Sequence, residues 1–203
     1  MAKQITGSLI ELLRRDHVHA QDIAAALEIL RRRLAEAGVR FAVIGALALR
    51  QHGLVRATDD IDILTTPQGL DKIHATLVGR GLVPRAPGLR KSLCETEHDV
   101  KIDVVTSGEH AGSDESPVVY PPPDSQDFVE IDGVWFPTLE ALVEFKIASG
   151  VWGHRHLDLG DVQNLIRIHG LDEEFADRLR PALRDRFLTL LRETRAQPDR
   201  EKA

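Results

Sequence analysis

Asp60 and Asp62 stand one residue apart in Thr58-Asp59-Asp60-Ile61-Asp62-Ile63-Leu64, inside an apolar run that reads as a strand. Strand side chains alternate between faces, so both carboxylates project from the same side and lie close together. Like charges held that close raise each other's pKa unless a cation sits between them. Oxygen ligands of this kind suit Mg²⁺, or Mn²⁺ in its place, bound through one or two carboxylates and substrate phosphates. A salt-bridged pair at a strand end is the bland alternative. Aspartate is depleted in strands, however, and alternation with Ile61 and Ile63 costs stability in a way that signals a site.

Asp103, in Val100-Lys101-Ile102-Asp103-Val104-Val105, is a second instance of an acid inside an apolar strand. Three acids on neighbouring strands can coordinate two metals about 3.5–4 Å apart, the arrangement that clamps both oxygens of an in-line displacement. Upstream, Phe41-Ala42-Val43-Ile44-Gly45-Ala46-Leu47-Ala48-Leu49 reads as strand, glycine, helix. A glycine there lets the backbone approach a ligand, and a helix N-terminus offers free N–H groups to an anion. Helix–strand packing alone also explains such a glycine.

The elements that must position these residues follow from periodicity. Apolar spacing predicts helices over 6–16 and 20–37, the second closed by Gly38. Residues 39–44 form a short buried strand, 46–52 a helix and 60–65 a second strand. Pro67 opens a helix to about residue 78, and 100–105 is a third strand. Residues 107–127, rich in Gly, Ser, Pro and Asp, read as a long surface loop or lid with no core of its own. Asp132-Gly133 between two apolar runs marks a hairpin over 128–136. After the N-cap candidate Thr138 the chain is helical: about 139–149, 158–169, 172–180 and 181–196.

Strands first and helices last imply an α+β fold, a mixed sheet flanked by helices, with a C-terminal helical subdomain. The expected division is N-terminal helices at 1–38, a core at 39–137 and the helical part at 138–203. With 203 residues the chain can bury a substantial core. A net charge of −6 argues against coating nucleic acid non-specifically. No apolar run of about 18 residues exists, no secretory signal is visible, and one cysteine rules out an intrachain disulfide framework. A cytoplasmic protein without membrane partners is the expectation.

Other chemically suggestive residues read as structural. His154 and His156, two apart, point to different sides of a helix, which disfavours a zinc site. His17 and His19 read as capping or surface residues, Cys94 as a packed thiol, and Trp135 and Trp152 as core or hinge anchors.

The Gly45 turn, then Arg56-x-Thr58-x-Asp60-Ile61-Asp62 and a later lone Asp103, resemble the polymerase-β-type nucleotidyltransferase superfamily. Lys146 in Leu142-Val143-Glu144-Phe145-Lys146, followed by Arg155-His156-Leu157-Asp158-Leu159-Gly160-Asp161, resembles the Lys…Arg-x-x-Asp-x-x-Asp segment of its AbiEii-type branch. That branch includes toxins of toxin–antitoxin and abortive-infection systems, and the likeness covers residues 39 to 170. The resemblance implies a nucleotidyltransferase core that moves an NMP from an NTP to an acceptor hydroxyl. It implies Asp60, Asp62 and Asp103 as metal ligands, with Asp103 helping to activate the acceptor.

It further implies Lys146 on the nucleotide phosphates, Asp158 near a helix N-terminus and Gly45 with Ala46 along the triphosphate. Arg56 would orient phosphates or brace the acidic strand. Two departures stand out: Ala46 where many members have Ser, and Leu157 where relatives often carry Lys. The implied partners are an NTP, a tRNA or protein acceptor and a cognate antitoxin. A small-molecule, aminoglycoside-like acceptor and a non-catalytic nucleotide-binding module are the alternatives.

Overall fold

The computed structural model of the chain describes residues 18–196, with side chains described from residue 21. The helix expected over 6–16, His17 and the side chain of His19 lie outside the described residues. The elements are α1 (Val18–Glu36), β1 (Phe41–Val43), α2 (Gly45–Gln51), β2 (Asp60–Thr65), α3 (Pro67–Thr76), β3 (Leu82–Pro84) and β4 (Ser92–Glu95). They continue with β5 (Val100–Thr106), β6 (Phe128–Ile131), β7 (Val134–Pro137), α4 (Leu139–Trp152), α5 (His156–His169), α6 (Glu173–Asp177) and α7 (Pro181–Ala196).

Local chemistry fixes the main boundaries. The stripe Ile23, Leu27, Leu30, Leu34 buries one face of α1. That helix closes at Gly38, whose φ of +63° is the left-handed conformation glycine adopts without a Cβ penalty. Thr66 and Thr138 cap α3 and α4, their hydroxyls accepting from Gly69 N (3.0 Å) and Ala141 N (3.2 Å).

Seven strands form one mixed sheet in the order β3-β4-β5-β2-β1-β7-β6. The β2/β5 and β1/β7 pairs are parallel, and the remaining neighbours are antiparallel. Alternation gives the sheet two different faces. One carries Phe41, Val43, Ile61, Ile63, Ile102 and Val104, which pack with α1 and α3 in a wholly apolar core. The other carries Ala42 and Leu64, which join a second core with α4, α5 and α7. Asp60, Asp62, Lys101 and Asp103 share this second face, at the end of β2 and β5 that the apolar packing leaves open.

Two stretches differ from expectation. Strands β3 and β4 extend the sheet beyond β5, in a region with no predicted strand. They are only three and four residues long, too short for alternation to stand out. The carboxylate of Glu95, fully buried, organises the turn after β4 by accepting from the backbone N–H groups of Glu97 and His98, both at 3.0 Å.

Residues 107–127, expected to lack a core, are instead anchored into one. Ala111, Ser116 and Val118 are buried, Ala111 N donates to Val118 O (2.8 Å), and His110 bridges to Val119. Gly112 lies so close to α4 that a Cβ would sit 2.7 Å from the Ala148 carbonyl. The segment is a strap on α4, held by a few isolated apolar contacts rather than by a periodic pattern.

Candidate active site

The parallel register of β2 on β5 sets Asp60 opposite Lys101 and Asp62 opposite Asp103. One face therefore gathers three carboxylates and one ammonium. Oxygens of Asp60, Asp62 and Asp103 all lie within 4.8 Å of one another. Among the described residues this is the one group of His, Cys, Asp and Glu with such spacing. Thr58 Oγ1 donates to Asp60 Oδ1 (2.7 Å) and Ser92 Oγ donates to Asp103 Oδ1 (3.0 Å), fixing both carboxylates in rotation. The Lys101 ammonium reaches Asp60 Oδ2 (3.4 Å) and contacts Asp103 Oδ2.

That single lysine does not balance the cluster. Burial, followed by repulsion from Asp60 and Asp103, pushes the Asp62 carboxyl up to about 6. The residues fit a divalent cation on three grounds: all-oxygen donors, mutual spacing, and an anionic excess that one ammonium leaves uncompensated.

Gly45 explains how Asp62 fits. Its φ is +66°, and a Cβ there would lie 2.0 Å from Asp62 Oδ2. The neighbouring Ile44 N–H donates to the Asp62 carbonyl at 3.0 Å. The glycine expected to let a ligand approach thus makes room for the site's own carboxylate. Gly45 and Ala46 also line the cavity above the acids.

That cavity, of about 330 Å³, is floored by the three aspartates and walled by residues of α2, α4, α5 and the 107–127 strap. It includes Gly45, Ala46, Arg56, Lys146 and Asp158, so every residue singled out for the site borders one space. His154 and His156 do not line it. Cys94 sits on β4, where its Sγ donates to Asp99 Oδ1 (3.2 Å) and burial pushes its thiol up to about 11.

The wall from α4 and α5 is a second charged cluster of different character. Residues 141–150 of α4 are all buried, Lys146 among them. Its Nζ donates to Asp158 Oδ1 (2.6 Å) and Asp161 Oδ2 (2.9 Å), on the first two turns of α5. Arg56 Nη1 pairs with Asp161 Oδ2 at 2.6 Å and approaches Asp158 at 4.0 Å. Arg56 therefore braces α5 rather than the acidic strand. Burial alone would raise the Asp158 carboxyl, but the charge and hydrogen bond of Lys146, the Ser149 hydroxyl and Arg155 together hold it below its usual value.

Several residues in or beside the cavity take roles that the motifs alone do not assign. Lys101 was detectable, since it lies two residues before Asp103 and must share its face. Asp161 was visible in the motif, but its pairing with both Lys146 and Arg56 is a product of the packing. Thr58 and Ser92 act through single hydrogen bonds, and Ser92 required β4 to be known. Tyr120 comes from the strap, packs against Phe145 with ring centroids 4.9 Å apart and the rings tilted by 51°, and has its phenol pushed up to about 12 by burial and then by Asp158.

The solution structure of the antibiotic-resistance factor ANT(2'')-Ia matches this chain with a TM-score of 0.53 at 17% identity, over 87% of this chain and 100% of that one. The fold is a nucleotidyltransferase fold. A crystal structure of ANT(2'')-Ia with adenylyl-2''-tobramycin gives a TM-score of 0.42 at 16% identity, over 83% of this chain and 98% of that one. An H. pylori protein described as a nucleotidyltransferase gives 0.44 at 14%, over 89% and 83%. No protein-family model matches the sequence, and neither does any curated protein. No helix among the described residues is long and apolar enough to cross a membrane.

Proposed function

We propose that the protein transfers a nucleoside monophosphate from an NTP to an acceptor hydroxyl. The observation that carries this reading is the triad Asp60, Asp62 and Asp103, with oxygens within 4.8 Å of one another on the floor of one cavity. Mg²⁺, or Mn²⁺ in its place, would be held by these three residues and would neutralise and polarise the phosphates.

The chain's own residues perform the rest. Thr58 and Ser92 hold Asp60 and Asp103 in orientation. Lys146 presents a fixed positive charge at the cavity wall because Asp158 and Asp161 hold it there. Arg56 keeps those two carboxylates in place, and Arg155 adds a more exposed cation at the mouth. The backbone at Gly45 and Ala46 borders the space for the triphosphate, where N–H groups stand in for the Ser hydroxyl that many relatives of the resembled superfamily carry.

In the reaction the acceptor oxygen forms a bond to the α-phosphorus while the bond from that phosphorus to the bridging oxygen breaks. Pyrophosphate leaves, and the hydroxyl proton passes to the Asp103 carboxylate. The acid cluster and the cations around the cavity offset the charge that builds on the phosphoryl oxygens.

The acceptor in this reading is RNA, tRNA above all, or protein, with the enzyme acting as the AbiEii-type toxin of a toxin–antitoxin pair in the cytoplasm. A small-molecule acceptor is the second reading, favoured by the likeness to an antibiotic-resistance factor over the whole of that chain. Purified protein incubated with Mg²⁺ and each α-labelled NTP, together with total tRNA, cell protein or an aminoglycoside panel, tests both. Label on one acceptor class, lost in Asp60→Asn, is the expected result. No label on any acceptor, with wild type and Asp60→Asn alike in cells, would overturn the reading.

A further inference from the structure

We propose that Lys101 is a tethered counter-ion: its ammonium occupies the position of a cation shared by Asp60 and Asp103, and a divalent metal must displace it. The inference rests on the proposed reading of the three carboxylates as cation ligands. It adds that the chain carries its own competitor for them.

The geometry points there in three ways. Lys101 reaches two carboxylates on two different strands, Asp60 on β2 and Asp103 on β5. It reaches each through Oδ2, while Oδ1 of each is held by a hydroxyl, from Thr58 and Ser92 respectively. The ammonium therefore lies on the oxygens left free to bind a metal. Its position is also dictated by the backbone: parallel register sets Lys101 directly opposite Asp60, and alternation sets it on the face of Asp103.

Lys91 provides the contrast. It is a neighbouring, exposed lysine that pairs with one exposed carboxylate, Glu109. Ion pairs of that kind add little and can be lost without consequence. Lys101 differs because its partners are two of the three acids of the site.

An ammonium bonded to these Oδ2 atoms and a divalent ion ligated by them compete for the same oxygens, and their like charges repel. In the metal-free protein Lys101 softens the repulsion within the triad and lets it fold intact. A divalent ion entering alone must eject the ammonium, so its affinity is reduced. A nucleotide contributes its own phosphate oxygens and leaves the freed ammonium an anion to meet, so metal and nucleotide bind better together than apart.

Mn²⁺ binding to the full chain, read from the loss of the free-ion electron paramagnetic resonance signal, tests this without any catalysis. Lys101→Met should bind Mn²⁺ about tenfold or more tighter than wild type, as removal of a contacting like charge predicts. Lys91→Met should stay within about twofold, since an exposed charge is screened. In the unmutated protein, Mn²⁺ should accelerate amine-reagent labelling of Lys101, followed by mass spectrometry, because displacement frees the ammonium.

If Asp62→Asn abolishes Mn²⁺ binding but Lys101→Met binds no tighter, or Mn²⁺ fails to raise Lys101 labelling, the counter-ion proposal is overturned and the metal site stands. If neither wild type nor Lys101→Met binds Mn²⁺ in an Asp62-dependent way, both readings fall.

Discussion

Two charged clusters face each other across one cavity, and they are built on opposite principles. On the sheet, three carboxylates stand together and the one ammonium of Lys101 pairs with two of them, Asp60 and Asp103. Beside α4 and α5, Asp158 and Asp161 meet three cations, Lys146, Arg56 and the more exposed Arg155. The consequences appear in the carboxyls themselves: Asp62 is pushed up to about 6, whereas Asp158 is held below its usual value. A buried pair with balanced charge and good hydrogen bonds fixes geometry. A cluster left anionic costs stability, and it makes physical sense where a ligand completes it. In the proposed function the sheet cluster is the part that reacts, and the helix cluster is the part that holds.

If that contrast is right, substitutions in the two clusters should separate activity from stability. The largest expected effect is on transfer: Asp62→Asn should lower the rate by about 10³-fold, the scale on which loss of transition-state charge stabilisation is felt. The same variant should melt at a higher temperature than wild type in metal-free buffer, because it removes a repelled charge. Calorimetry beside the transfer assay checks both halves.

Lys146→Met probes the other cluster. It leaves Asp161 with Arg56 and Asp158 with only the more distant Arg56 and the exposed Arg155, and should cost about 3–5 kcal/mol in urea unfolding, as for one partner of a buried pair removed. A variant that unfolds like wild type would erase the distinction between the clusters.

Gly45→Ala should follow, at about 1–3 kcal/mol, since the new methyl meets Asp62 Oδ2 in a backbone conformation that non-glycine residues disfavour. Combining it with Asp62→Ala should recover part of the loss, which a double-mutant cycle would read out.

The remaining effect is on pH. Asp62 has a folded pKa of about 6 against 3.8 for the ordinary carboxyl. The folded protein therefore binds more protons than the unfolded chain over that range, and metal-free stability should fall as pH rises from about 4 to about 6. Asp158 has the opposite sign: its contribution is present above the ordinary carboxylate pKa and is lost as pH falls through the lower folded value. Asp62→Asn should flatten the first slope and leave the second. Melting curves across pH 3 to 8 resolve the two.

The sheet cluster was more legible in the sequence than the helix cluster, for a physical reason. Asp60, Ile61, Asp62 and Asp103 sit in strands, where period-two alternation fixes the face a side chain takes before any packing is known. The central strands and the helices of the last third follow from the same regularities. Lys146 and Asp158 were visible as a motif, but their union with Asp161 and Arg56 depends on how α4 meets α5 and on where the loop before β2 runs. Strands β3 and β4 and the anchored strap at 107–127 escaped because they rest on a few long-range contacts with no local period. Tyr120 was unreadable for the same reason, and Ser92 became meaningful only once β4 was paired with β5.

The most direct test of the two-cluster account is anomalous diffraction from crystals grown with Mn²⁺ and a non-hydrolysable NTP. A manganese peak is expected within bonding distance of Asp60, Asp62 and Asp103, with the triphosphate beside it and no peak at Asp158 and Asp161. A manganese peak at the helix cluster, or a nucleotide bound elsewhere with the three aspartates bare, would contradict it.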